Sequence, residues 1–128
     1  MILSVDGVEL EARWVGRPPD GGPTLVFLHE GLGSITQWRD VPAAIAAASG
    51  RPALVYAREG YGQSSPVALP RPLTYMHDEA ARLPRVLAAE AISRPILVGH
   101  SDGASIAIIA ARVASALVLI APHVFVED

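Results

Sequence analysis

Pro95-Ile-Leu-Val-Gly-His-Ser-Asp-Gly103 carries an apolar strand straight into a Gly-x-Ser-x-Gly turn. A nucleophile elbow needs a strand, a turn too tight for side chains beside the serine, and then a helix. Gly99 and Gly103 flank Ser101, so the backbone can fold sharply without Cβ clashes. The following Ala104-Ser-Ile-Ala-Ile-Ile-Ala-Ala-Arg112 reads as a buried helix. Alone, the five-residue pattern also arises by chance in glycine-rich loops. An apolar strand before it and an Ala/Ile helix after it select Ser101 as a candidate nucleophile.

Working outward, Ile2–Val5 and Val8–Val15 alternate around Asp6-Gly7, a two-residue hairpin signal. Thr24–Leu28 is a short apolar run ending at His29, as expected of a buried parallel strand. Ser34 is an expected N-cap for a helix reaching about Ala48, with Gly50 and Pro52 as stop signals. A second buried strand, Ala53–Ala57, opens into the glycine-rich turn 58–65. Thr74 or Tyr75 to about Ala91 has helical periodicity with a kink expected at Pro84, and a helix is expected over 103–113. Ala116–Ala121 is a last strand, closed by Pro122. A hairpin followed by strand–helix alternation implies an α/β fold: a mostly parallel sheet with helices on both faces and the N-terminal β-hairpin at one side. Chemistry in such sheets collects at the carboxyl ends of the strands, where Gly31, Gly60, Ser101 and His123 all fall.

The 128 residues are expected to form a single domain over 1–128. Apolar residues make up 51% and charged residues 18%, which argues against disorder. A net charge of −3 with scattered arginines offers nothing to nucleic acid or an anionic membrane. Without cysteine there is neither a disulfide framework nor a thiolate metal site. The N-terminus lacks a signal-peptide pattern, and no apolar stretch approaches the ~20 residues of a membrane span. A cytoplasmic protein is expected. His29, His77, His100 and His123 show no i, i+4 pairing, so no metal is expected. No Gly-x-Gly-x-x-Gly follows the first parallel strand, so no dinucleotide cofactor is expected either.

Together these residues resemble the α/β-hydrolase superfamily, of the serine esterase and lipase kind, over its N-terminal part through the sixth strand. His29-Glu-Gly-Leu-Gly-Ser34, followed by Trp38, looks like the His-Gly-x-x-Gly-Ser loop after the third strand. Arg58-Glu-Gly-Tyr-Gly-Gln-Ser64 looks like the Arg-Gly-x-Gly-x-Ser turn after the fourth, and Gly99–Gly103 matches the elbow after the fifth. The resemblance implies hydrolysis of a small-molecule carboxylic ester through an acyl-enzyme on Ser101. It implies an oxyanion hole made by the backbone N–H groups of Gly31 and Asp102. Glu30 departs from the glycine usual in that loop, and a carboxylate there is unhelpful unless it points away.

The superfamily's acid and histidine follow the seventh and eighth strands, beyond the last strand read here, which makes this a truncated α/β-hydrolase fold. His29 is expected to brace its loop, His100 to turn away from Ser101, and His77 to be solvated. Asp102 is expected to cap the following helix with its carboxylate. His123, just after the sixth strand, is the candidate base, with Glu127 (or Asp128) as its acid; the plainer role is pocket lining for His123 and chain-end charge for the acids. An unpaired apolar sixth strand invites pairing, so homo-oligomerisation through that edge is expected. The competing reading is a catalytically incomplete hydrolase half that serves as a binding or oligomerisation module, or that needs a partner chain.

Overall fold

The computed structural model describes residues 1–31, 33–69 and 71–121. Strands β1 (Ile2–Val5) and β2 (Val8–Val15) form the hairpin, with Asp6 at φ 54° and Gly7 at φ 76° in the turn. Positive φ at both turn residues is the geometry that Asp-Gly favours, because its twist matches that of the flanking strands. There follow β3 (Thr24–Leu28), α1 (Val41–Ser49), β4 (Ala53–Tyr56), α2 (Tyr75–Ala89), β5 (Pro95–His100), α3 (Asp102–Ile109) and β6 (Ala116–Ile120). They build one six-stranded sheet in the order β1-β2-β4-β3-β5-β6. β2 joins β4 antiparallel, whereas β4, β3, β5 and β6 run parallel.

Every residue of β3 is buried, and their alternation divides the core in two. Leu25 and Phe27 face Trp38 and Ala46, the latter on α1. Val26 and Leu28 face the opposite layer, in which Leu83, Val86 and Leu87 of α2 lie beside Ile106 and Ala107 of α3. Helices therefore cover both faces, as the alternating pattern implies. Each fully buried Leu, Val or Phe contributes about 1.5–3 kcal/mol, so these two layers hold the strand ends in fixed register.

Three local expectations change. The first helix does not start at Ser34: Thr36–Trp38 forms a single 3₁₀ turn, and Arg39 at φ 54° and ψ −124° breaks the path before α1 begins at Val41. Pro42 fits there because the first turn of a helix leaves its N–H groups unpaired. The third helix ends at Ile109 and continues only as a 3₁₀ turn, Ala111–Val113. At the start of α3 the N-cap residue Ser101 makes no side-chain cap bond, and the Asp102 carboxylate accepts from the Tyr75 hydroxyl of α2. Pro84 is accommodated inside α2.

Candidate active site

Ser101 joins β5 to α3 with φ 55° and ψ −114°. Such angles are costly for a residue with a Cβ, on the order of 1–3 kcal/mol, and persist only where the surroundings impose them. Two glycines impose them here. A Cβ on Gly99 would lie 2.5 Å from the Gly103 carbonyl oxygen and 2.6 Å from Ala104 Cα. One on Gly103 would lie 2.5 Å from the Leu28 carbonyl carbon and 2.7 Å from the His29 carbonyl oxygen. The elbow is thus folded on itself at Gly99 and pressed onto the end of β3 at Gly103. The Ser101 N–H donates to Ile120 O at 2.9 Å, and its carbonyl accepts from Ser105 N–H at 3.1 Å, the first bond of α3.

The loop after β3 is held from beneath. His29 is buried, its Nδ1 lies 2.7 Å from Glu30 O, and its Nε2 accepts the Arg58 N–H at 3.0 Å. Those partners require the neutral tautomer with the proton on Nδ1. Burial, with the Arg58 charge adding to it, lowers the His29 pKa to about 3. With both ring nitrogens engaged, His29 braces the loop and is not free to act as a base. The fully buried Arg58 guanidinium donates to His29 O and sits 5.2 Å from the Tyr61 ring centroid. Ser64 completes the support by donating to Ala57 O at 2.6 Å and accepting from Glu11 N–H at 2.8 Å.

Above this brace, Gly31 and Asp102 come together. A Cβ on Gly31 would collide with Asp102 Oδ2 and lie 3.1 Å from its Cγ. The Asp102 carboxylate accepts a hydrogen bond from the Tyr75 hydroxyl, at the start of α2. Burial, then that hydrogen bond, push the Tyr75 pKa up, so the phenol keeps its proton to donate. Asp102 is the first residue of α3, where backbone N–H groups have no intrahelical partner. The Glu30 carboxylate lies on the other side, with Oε2 3.9 Å from His100 Nδ1. Together with His29, Gln37 and Trp38, these two line a cavity of about 60 Å³. Glu30 therefore takes the His100 side, while Asp102 packs on Gly31.

A strand–elbow–helix in which two glycines permit the close approaches, a serine at positive φ, and a glycine loop at the end of β3 form one constellation. The profile of the alpha/beta hydrolase family matches residues 25–128. The chain belongs to the alpha/beta hydrolase family. No curated protein matches it in sequence. Among solved structures it is similar to a bacterial membrane phospholipase A (TM-score 0.82, 23% identity, 96% of this chain and 39% of that one). It is also similar to an alpha/beta hydrolase fold protein from Burkholderia ambifaria (0.77, 23%, 100% and 46%). A third is Est816, an N-acyl homoserine lactone degrading enzyme (0.69, 25%, 85% and 39%). The chain spans less than half the length of these structures.

Within this alpha/beta hydrolase chain, Ser101, Gly31 and Asp102 fall at the carboxyl ends of the neighbouring strands β3 and β5. His123 and Glu127 lie outside the described residues. His77 is exposed on α2. Among the described residues no cluster of three or more His, Asp or Glu is placed to hold a metal ion, and no helix is long and apolar enough to cross a membrane. Sequence patterns assign Tyr75, Arg58 and Arg71 no role in supporting the site. Arg71 stacks its guanidinium 4.6 Å from the Tyr61 centroid and 5.6 Å from that of Tyr75. The hydrogen-bond partners of Tyr75 and Arg58, Asp102 and His29, lie 27 and 29 residues away, and no local spacing signals them.

Proposed function

We propose that this chain is a serine hydrolase that cleaves small-molecule carboxylic esters through an acyl-enzyme on Ser101. The observation that carries the reading is the serine itself, held at φ 55° on a turn that Gly99 and Gly103 permit. Strain of that kind is retained where it exposes a reacting atom. In this reading Ser101 Oγ attacks the ester carbonyl while a base takes its proton. The N–H groups of Gly31 and Asp102 donate hydrogen bonds to the carbonyl oxygen as negative charge develops on it. The alkoxide departs with a proton, and water then releases the acid from Ser101. His123 is the proposed base and Glu127 its acid. One structural relative is a phospholipase A and another degrades N-acyl homoserine lactones; carried over, these favour an ester or lactone carbonyl as the group attacked.

The test is hydrolysis of p-nitrophenyl butyrate by the chain beside its Ser101→Ala variant. The reading predicts turnover that vanishes in the variant, and equal rates in the two proteins refute it. One observation favours a second reading, a module that pairs with a further copy of the chain or another partner. Among the described residues β6 pairs with β5 alone, and Val118, Leu119 and Ile120 are exposed. Sedimentation resolves the two readings: concentration-dependent dimers without Ser101-dependent turnover favour the module.

A further inference from the structure

Asp102 poses a problem for the proposed chemistry. A carboxylate next to two oxyanion donors repels the charge that they stabilise. The N-cap residue Ser101 makes no side-chain cap bond, and the hydrogen bond seen at the Asp102 carboxylate comes from another element. The carboxylate instead stands between two segments: it packs on Gly31 so closely that a Cβ there would collide with it, and it accepts the Tyr75 hydroxyl from α2. Tyr75 is itself fixed. Its ring lies under the Arg71 guanidinium, which also stacks on Tyr61 and donates to Glu59 O at 3.3 Å. Tyr61 in turn meets the His29 ring edge-on, with centroids 4.6 Å apart. These contacts close a ring, from Gly31 through Asp102, Tyr75, Arg71 and Tyr61 back to His29, two residues before Gly31.

We propose that Tyr75 is a positioning residue for the Ser101 reaction: by holding the Asp102 carboxylate against Gly31, it sets the spacing of the two backbone donors. The proposal rests on the hydrolase reading above. Donors must lie about 2.7–3.1 Å from the oxyanion, so a small slip of α3 against the β3 loop is felt at once. The hydroxyl also offsets part of the carboxylate's charge where the oxyanion forms.

The experiment compares Tyr75→Phe and Asp102→Asn in the full chain. Misplaced oxyanion donors predict kcat about tenfold lower for Tyr75→Phe, with KM within twofold of the parent, and loss of a hydrogen bond to a charged acceptor lowers the melting midpoint by a few degrees. Asp102→Asn keeps an acceptor for the Tyr75 hydroxyl, so its kcat is expected to fall less than that of Tyr75→Phe, and its Gly31 amide to shift less. A readout independent of turnover is the backbone amide spectrum, in which Tyr75→Phe is expected to shift the Gly31 and Asp102 resonances. Parent kcat in Tyr75→Phe, or unmoved Gly31 and Asp102 amides, overturns the proposal. Should the parent chain show no Ser101-dependent turnover, the hydrolase reading fails, and the amide shifts alone decide whether Tyr75 positions these two amides.

Discussion

Gly103→Ala tests whether the elbow is set by space rather than by backbone freedom. Gly103 is the second residue of α3, and its φ is not positive, so an alanine meets no conformational objection. On helix propensity alone the change would stabilise by about 1 kcal/mol. The added methyl, however, would sit 2.5 Å from the Leu28 carbonyl carbon, 2.7 Å from the His29 carbonyl oxygen, and closer still to Leu28 O. Ordinary contact would require α3 to back away from β3 by roughly 1 Å, and both obstacles are backbone of buried residues that cannot change rotamer. Overpacking of this kind costs about 1–3 kcal/mol, and here the upper end applies. The net is a loss of about 2 kcal/mol, or a fall in melting midpoint of roughly 7 °C for a chain of this size. Urea denaturation of Gly103→Ala beside Gly50→Ala measures it. Gly50 has φ 70° with open space around its missing Cβ, so its variant loses only about 1 kcal/mol, from strain. A Gly103→Ala protein as stable as the parent, or more stable than Gly50→Ala, would refute the reasoning.

Other perturbations follow from the same contacts. His29 has its folded pKa lowered to about 3, so the unfolded chain binds the extra proton. Its contribution is complete above pH 6.5 and is lost on acidification toward pH 3, with a slope of about 1.4 kcal/mol per pH unit; urea midpoints from pH 7 to 4 should show that slope, flattened in His29→Gln. Arg82 bridges Glu79 at 2.8 Å and Glu59 at 2.9 Å, and Glu79 is buried with its pKa raised by that burial. Arg82→Met should therefore cost about 3 kcal/mol at pH 7, because a buried carboxylate loses its cation, and adding Glu79→Gln should recover part of the loss in the same denaturation assay. Ser64→Ala removes one donor and one acceptor from the turn after β4; a loss of about 1–3 kcal/mol is expected by thermal melting.

The strands were legible because their information is local. Val8–Val15, Thr24–Leu28 and Pro95–His100 fall where alternation and apolar runs place them. The elbow was legible for the same reason: Gly99, Ser101 and Gly103 sit within five residues and report a single turn. Helix starts were less so, since Ser34 has the chemistry of a cap, yet Arg39 takes a positive φ and delays α1 to Val41. Of the supports of the site, the bracing role of His29 was legible from its place in the loop motif, and the others were not. Arg58 is a charged residue in a glycine-rich loop that sequence habit puts in water, but it is buried by carbonyls 28 and 29 positions away. Asp102 looked like a cap because helix starts favour carboxylates, whereas its partner Tyr75 stands 27 residues earlier. Pairings at such separations belong to the packing of the turn after β4 on the loop after β3 and of α2 against α3, which no window of sequence contains.

The central claim is that Ser101 is a nucleophile, and covalent capture tests it most directly. The chain is treated with a fluorophosphonate ester and its intact mass is measured, followed by peptide mapping, beside Ser101→Ala. The account predicts one phosphonyl adduct, formed with loss of fluoride, on the peptide containing Ser101 and absent from the variant. No adduct on the parent chain, or the same adduct on both proteins, would contradict it.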